Sequence, residues 1–179
     1  MKTILQALRL FLLLTLLTGV AYPVAVTVVA RFVFPKQASG SIVNRDGKPV
    51  GSALLAQKFE SPRYFWPRPS ANDYATVPSG ASNLGPTSEA LKKAIAERRA
   101  KFGAGAPVEM LTTSGSGLDP HISPQAAVQQ IARVAEARKM EPAHIATLVA
   151  ENTEPPQWGI FGEPRVNVLA LNLRLDAIK

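Results

Sequence analysis

The sequence predicts an α+β protein: one N-terminal transmembrane helix followed by a single mixed α/β soluble domain. Three observations carry that prediction. Leu10 to Ala30 runs twenty-one residues without a charge, between Arg9 and Arg31, and at 1.5 Å rise per residue such a helix covers about 30 Å, the hydrocarbon thickness of a bilayer. More than 140 polar-to-mixed residues follow it. Strand-like alternation and helix-period segments take turns along that stretch and no internal repeat divides it, so it reads as one domain around one core. Residues 1–36 are then the tail and anchor, and residues 37–179 the soluble domain.

The competing reading of the apolar run is a cleavable signal peptide, with Lys2 and Arg9 as its basic region and Val28-Val29-Ala30 as a small-residue cleavage site. The run is too long for that, since signal h-regions span about 7–15 residues, and a retained anchor is expected. Pro23 interrupts it, which a helix in lipid tolerates when a neighbour covers the freed carbonyl, so a partner in the bilayer is implied. Basic residues flank the run on both sides (Lys2 and Arg9 before; Arg31, Lys36, Arg45 and Lys48 after), so charge does not orient it. A short tail, an anchor and a long domain form the layout of a signal anchor, which places the domain outside the cytoplasm.

The net charge of +7 is concentrated at the membrane end. Residues 1–36 hold four basic and no acidic residues, leaving sixteen basic against thirteen acidic, a net +3, for residues 37–179. No basic stripe interleaved with aromatics is present, and nucleic-acid binding is excluded on that ground. Without cysteine there is no disulfide, thiol nucleophile or zinc–thiolate site.

Along the domain, Gly40 to Val50 alternates weakly around Asn44-Arg45-Asp46-Gly47, whose Asp-Gly predicts a hairpin. Residues 51–86 are dense in Pro, Gly, Ser and Asn but carry Phe59, Tyr64, Phe65 and Trp66. Disordered segments lack such aromatics, so this long loop is expected to be packed down. Thr87 caps a predicted helix from Ser88 to Phe102, ended by Gly103, with Lys92, Lys93, Arg98, Arg99 and Lys101 on a solvated face. Val108 to Thr113 alternates like a strand and feeds a loop from Ser114 to Ile122. Ser123 with Pro124 starts the next helix, striped by Val128, Ile131 and Ala135. Pro142 restarts a shorter one through Ile145, Leu148 and Val149. Arg165 to Leu175 reads as a strand whose apolar phase slips after Val168, the mark of a bulge or of a strand that ends early.

Several motifs occur in an order that identifies a family. They are Tyr22-Pro23; Gly51-Ser52-Ala53-Leu54 with Gln57 and Phe59; Tyr64-Phe65 followed by Arg68-Pro69-Ser70-Ala71; and Ser82-Asn83-Leu84. Ser116-Gly117-Leu118-Asp119, Ile122, Pro124-Gln125-Ala126-Ala127, Gln130 and Arg133-Val134-Ala135 continue the series, closed by Val166-Asn167-Val168 and Leu171-Asn172-Leu173. Over essentially its whole length the chain resembles the C subunits (KdpC) of Kdp-type potassium-transporting P-type ATPases. That resemblance implies a non-catalytic subunit of an ATP-driven, high-affinity potassium uptake complex in the bacterial inner membrane, spanning it once. Its implied partners are the ion-conducting and ATP-hydrolysing subunits and the complex's small subunit. Its implied role is that of a catalytic chaperone, which raises the pump subunit's affinity for ATP and helps assemble the complex, with ATP bound jointly with that subunit.

The residues themselves contain neither a Gly-x4-Gly-Lys-Ser/Thr loop nor an Asp-Lys-Thr-Gly motif, so phosphoryl transfer must be a partner's chemistry. A single span also makes no potassium path, because a filter needs several segments. No catalytic residue and no metal ligand set is expected. The candidate ATP contact is Ser114, Gly115, Ser116 and Gly117 with Asp119 and Gln125, since backbone amides of a Gly-rich turn near a helix N-terminus can cradle phosphate. The same loop reads equally as a tight connection that needs glycine for positive φ. Gln125 and Gln130 have the chemistry to read a ribose or base edge. A hydrolase triad from Ser114 or Ser116, Asp119 and His121 is discounted, because neighbours in an Asp-Pro-His turn do not converge correctly. His144 has no second ligand at metal spacing. Tyr64, Phe65 and Arg68 are candidate partner contacts, with packing against the domain's own core as the alternative. Two functional readings remain: a nucleotide-affinity subunit, or an extracytoplasmic assembly subunit that caps the potassium entrance without touching nucleotide.

Overall fold

The structure is a computed structural model and describes residues 2–178. The chain falls into two compact units, residues 1–50 and residues 51–179.

The first unit is built on the apolar helix. α1 (Lys2–Leu16) passes through a π-helical turn, Leu17–Ala21, into α2 (Tyr22–Val33). Together they form one helix long and apolar enough to cross a membrane. The π turn sits where Pro23 demands it. Proline has no N–H to offer the carbonyl one turn back, and the chain widens just before it so that Tyr22 N–H donates to the Leu17 carbonyl. The hydroxyls of Thr18 and Thr27 donate back to Leu14 O and Pro23 O, both at 2.7 Å, so neither hydroxyl is left unpaired on the apolar helix. After a short α3 (Pro35–Ala38), β1 (Ile42–Arg45) and β2 (Lys48–Ser52) form the expected hairpin. Asp46 and Gly47, at φ +51° and +75°, supply the two left-handed positions that a two-residue turn needs.

The second unit carries the core. α4 (Glu89–Phe102) is followed by α5 (Val108–Leu111), β3 (His121–Ile122), α6 (Pro124–Arg138), α7 (Pro142–Glu151), β4 (Thr153–Glu154), β5 (Arg165–Asn167) and α8 (Val168–Ala177). β5 is the central strand of an antiparallel sheet ordered β3-β5-β4, with Ile122 opposite Val166 and Glu154 opposite Arg165. The apolar centre joins Phe65, Met110, Ile122, Ile131, Val134, Ile145, Leu148, Val166, Leu171 and Leu175. α6 packs on α7, and α7 on α8.

Three local expectations change and one is met. The cap of α4 is Ser88, whose hydroxyl accepts from Leu91 N–H, and not Thr87. Val108 to Thr113 is not a strand. A helical turn buries the adjacent pair Met110 and Leu111 while Val108 stays exposed, an arrangement alternation does not produce. The stripe of α6 lies one position over from Val128, which is 58% exposed, and instead uses Ala126, Ala127, Gln130, Ile131, Val134 and Ala135. The last strand does end early: Asn167 caps α8 by accepting from Ala170 N–H, and Val168, Leu171 and Leu175 take up helical spacing.

Candidate functional site

The long loop is held down by side-chain amides acting on consecutive peptide units. Asn172 on α8 accepts from Phe65 N–H at 2.8 Å and donates to Phe65 O at 3.0 Å. Gln130 on α6 does the same for the next residue, accepting from Trp66 N–H at 2.8 Å and donating to Trp66 O at 3.1 Å. Each amide thus mimics a strand neighbour, which is how buried backbone in an irregular loop stays satisfied. Gln130 is 4% exposed, so it is a clamp inside the domain and presents no edge to a ribose.

Two arginines of α6 complete the fastening. Arg133 donates to Pro62 O and Tyr64 O and stacks on the Trp66 ring, 3.7 Å from its centroid. Burial pulls its pKa down to about 10, which still leaves it charged at neutral pH. Arg138 donates to Arg63 O and pairs with Asp176 at 2.6 Å. Lys101 also lies over the Trp66 ring, at 4.3 Å, so two cations contact that indole.

Of the three residues expected to meet a partner, Phe65 is fully buried in the core. Tyr64 is half-buried and donates its hydroxyl to Asp176 at 3.0 Å. Arg68 reaches across the unit to Asp119, Nη1 to Oδ2 at 2.9 Å. Phe65 thus packs into the domain's own core, while Tyr64 and Arg68 stay partly exposed and hydrogen-bonded within the unit. The Arg68–Asp119 pair also joins a residue assigned to partners with one assigned to ATP.

The Ser114–Gly117 loop is mostly committed to its own scaffold. Ser114 N–H donates to Pro69 O, Gly117 N–H to Ser114 O, and Leu118 N–H to Ser116 Oγ. Gly117 sits at φ +71°, where a Cβ would lie 2.9 Å from Gly80 O and 2.9 Å from Asn72 Oδ1. Gly115 is different: it is exposed, and a Cβ there meets nothing within 4 Å. Gln125 is exposed in the first turn of α6. Ahead of that turn the Glu109 carboxylate accepts from Ser123 N–H at 2.9 Å, so an anion already stands where the helix dipole favours one.

Asp119 Oδ1 accepts from His121 N–H at 3.0 Å, closing the Asp-Pro-His turn locally. The His121 ring nitrogen Nδ1 is 3.8 Å from the same carboxylate oxygen. Burial, then the Arg165 charge, pulls its pKa below the usual 6.5, against opposing pulls from Asp119 and Glu154. The folded state therefore disfavours the imidazolium. Below pH 6.5 the unfolded chain binds the proton more readily, so this group removes stability as pH falls from 6.5 through the lowered pKa. Thermal unfolding of the full chain is expected to lose midpoint between pH 7 and pH 5, and His121→Gln is expected to reduce that loss. An identical pH dependence in the variant would remove His121 as its source.

Two features had no counterpart in the sequence reading. A cavity of about 220 Å³ beside Trp66 is lined by Lys58, Tyr74, Arg98, Lys101 and Phe102 among others. Its cations are engaged internally: Lys58 pairs with Asp73 and Glu60, Arg98 donates to Leu111 O, and Lys101 covers Trp66. The second is an exposed aromatic hairpin between β4 and β5. Its turn is made by Trp158 and Gly159, both at positive φ.

Comparison with known proteins bears on the whole chain. The family model described as "KdpC: K+-transporting ATPase, c chain" matches residues 4–177. A protein of Polaromonas naphthalenivorans named potassium-transporting ATPase KdpC subunit is 54% identical, with 100% of this chain and 97% of that protein aligned. Proteins of the same name from Rhodospirillum rubrum and Cereibacter sphaeroides are 53% and 52% identical, each over more than nine-tenths of both chains.

Proposed function

This chain belongs to the KdpC family, the c chains of potassium-transporting ATPases, and from that premise we propose that it is a non-catalytic, single-pass assembly subunit of an ATP-driven, high-affinity potassium uptake complex. Its soluble unit lies outside the cytoplasm of a bacterial inner membrane and caps the potassium entrance. Its partners are the ion-conducting and ATP-hydrolysing subunits and the complex's small subunit. One observation carries this reading. Asn172, Gln130, Arg133 and the Arg68–Asp119 pair, polar groups that catalysis or nucleotide binding would need free, are engaged within the unit. The result is a stiff body suited to holding other subunits in register.

The second reading, a chaperone that raises ATP affinity jointly with the pump subunit, is favoured by Gly115 and Gln125, which stand open at the start of α6. Gly115→Val separates the two. Nothing surrounds that position, so stability and assembly are expected to be unchanged. On the assembly reading the complex's apparent ATP affinity is also unchanged. On the ATP reading, losing a charge-assisted amide–phosphate bond worth about 1.5–3 kcal/mol weakens it about tenfold or more. An alkaline phosphatase fused after Lys179 gives an independent answer. Activity is expected, and an inactive fusion of a stable protein would move the unit to the cytoplasm and overturn the assembly reading.

A further inference from the structure

Between β4 and β5 the chain projects a second hairpin whose apolar side chains face water. Gln157 and Phe161 exchange backbone hydrogen bonds of 2.8 and 3.0 Å, and Trp158 and Gly159 turn the chain at φ +54° and +76°. Trp158 is 81% exposed, Ile160 78% and Phe161 59%. The two rings meet edge-on with centroids 5.9 Å apart, so the tip is pre-shaped. A bulky residue at positive φ is costly, and here the strain presents an indole to solvent. No charge occurs from Pro155 to Gly162. The nearest ones, Glu154, Glu163 and Arg165, stand at the base, where Glu154 and Arg165 pair at 3.0 Å. Three large apolar side chains within four residues, ringed by charge only at the root, form a patch that the unit's own core does not use.

We propose that this tip inserts into the lipid–water interface of the bilayer that the chain's own span enters. Tryptophan and phenylalanine favour that layer, where a ring is shielded while the indole N–H stays wet. The span keeps a bilayer within reach: the seventeen residues from Phe34 to Val50, even fully extended, cover at most roughly 60 Å. Insertion here is apolar and needs no anionic lipid, because the tip is uncharged and the root, with Glu154 and Glu163 against Arg165, carries no excess of positive charge. It fastens the soluble unit at a second point and holds on whichever side of the membrane the unit lies, independently of ATP.

The test uses the full chain in phosphatidylcholine vesicles with and without bromine on the acyl chains. Trp66 and Trp158 are the two tryptophans, and Trp158→Phe alters an exposed ring, so the difference between wild type and variant isolates Trp158. Its emission is expected to be blue-shifted, to be largely lost in brominated vesicles, and to be lost equally at low and high salt. Emission untouched by bromine and freely quenched by acrylamide would place the tip in water and overturn the proposal. Emission untouched by bromine but shielded from acrylamide once the other pump subunits are co-reconstituted would overturn it in favour of a protein socket. Neither outcome bears on the assembly role, which the fusion and the Gly115 variant test separately.

Discussion

Replacing Asn172 by leucine, which is similar in size, is expected to destabilise the second unit by about 2–6 kcal/mol, because the Phe65 N–H and C=O would each be left buried and unpaired at about 1–3 kcal/mol apiece. Asn172 is 2% exposed and makes both bonds to Phe65, and leucine supplies neither donor nor acceptor. The loss should propagate, since Phe65 is itself a fully buried core residue and Trp66 follows it on the Gln130 clamp. Urea unfolding of the full chain in detergent, followed by tryptophan fluorescence, checks this. Val128→Ala, at an exposed site on α6, is the control and should stay within about 0.5 kcal/mol of wild type. A midpoint for Asn172→Leu no lower than the control's would show that the Asn172 clamp contributes nothing net.

Gly117→Val is expected to cost about 2–4 kcal/mol, combining backbone strain with a clash that the surroundings cannot relax. At φ +71° a β-branched residue is strained wherever it points, and here its Cβ meets a backbone carbonyl, Gly80 O, at 2.9 Å. The side chain of Asn72 can swing away, but that carbonyl belongs to the loop's own course. The full-chain unfolding midpoint and recovery with the other subunits should fall together, while the complex that survives keeps its ATP affinity. Wild-type stability with weakened ATP use would reverse this and return the loop to nucleotide binding. Gly115→Val, two residues away, should spare both stability and assembly, so the pair separates a glycine required by geometry from one that leaves a surface open.

Much of the fold was legible because it rests on local chemistry. The long apolar helix needs only length and the absence of charge. The hairpin at Asp46-Gly47 needs two residues that tolerate positive φ, and α6 announces itself by Ser123 and Pro124. The same locality produced the errors. Val108 to Thr113 alternates, yet among the described residues no strand pairs with it, and burial of both Met110 and Leu111 selects a helical turn. The phase slip after Val168 marks the strand's early end, and the Asn167 cap with the helical spacing of Val168, Leu171 and Leu175 makes the rest of that segment a helix.

What the sequence by itself determined is therefore an α+β chain of the KdpC family with one apolar helix of membrane-crossing length, since that helix, the caps, turns and ordered motifs depend on neighbours a few residues apart. Only the tertiary structure decided what the motif residues do. Phe65 meets Asn172 across 107 positions, Trp66 meets Gln130 across 64, and Arg68 meets Asp119 across 51. A glutamine that can read a ribose and one that clamps a peptide are the same residue in sequence. They differ only in whether folding buries their amide against backbone with no other partner, and that depends on contacts whose chain separation leaves no local pattern.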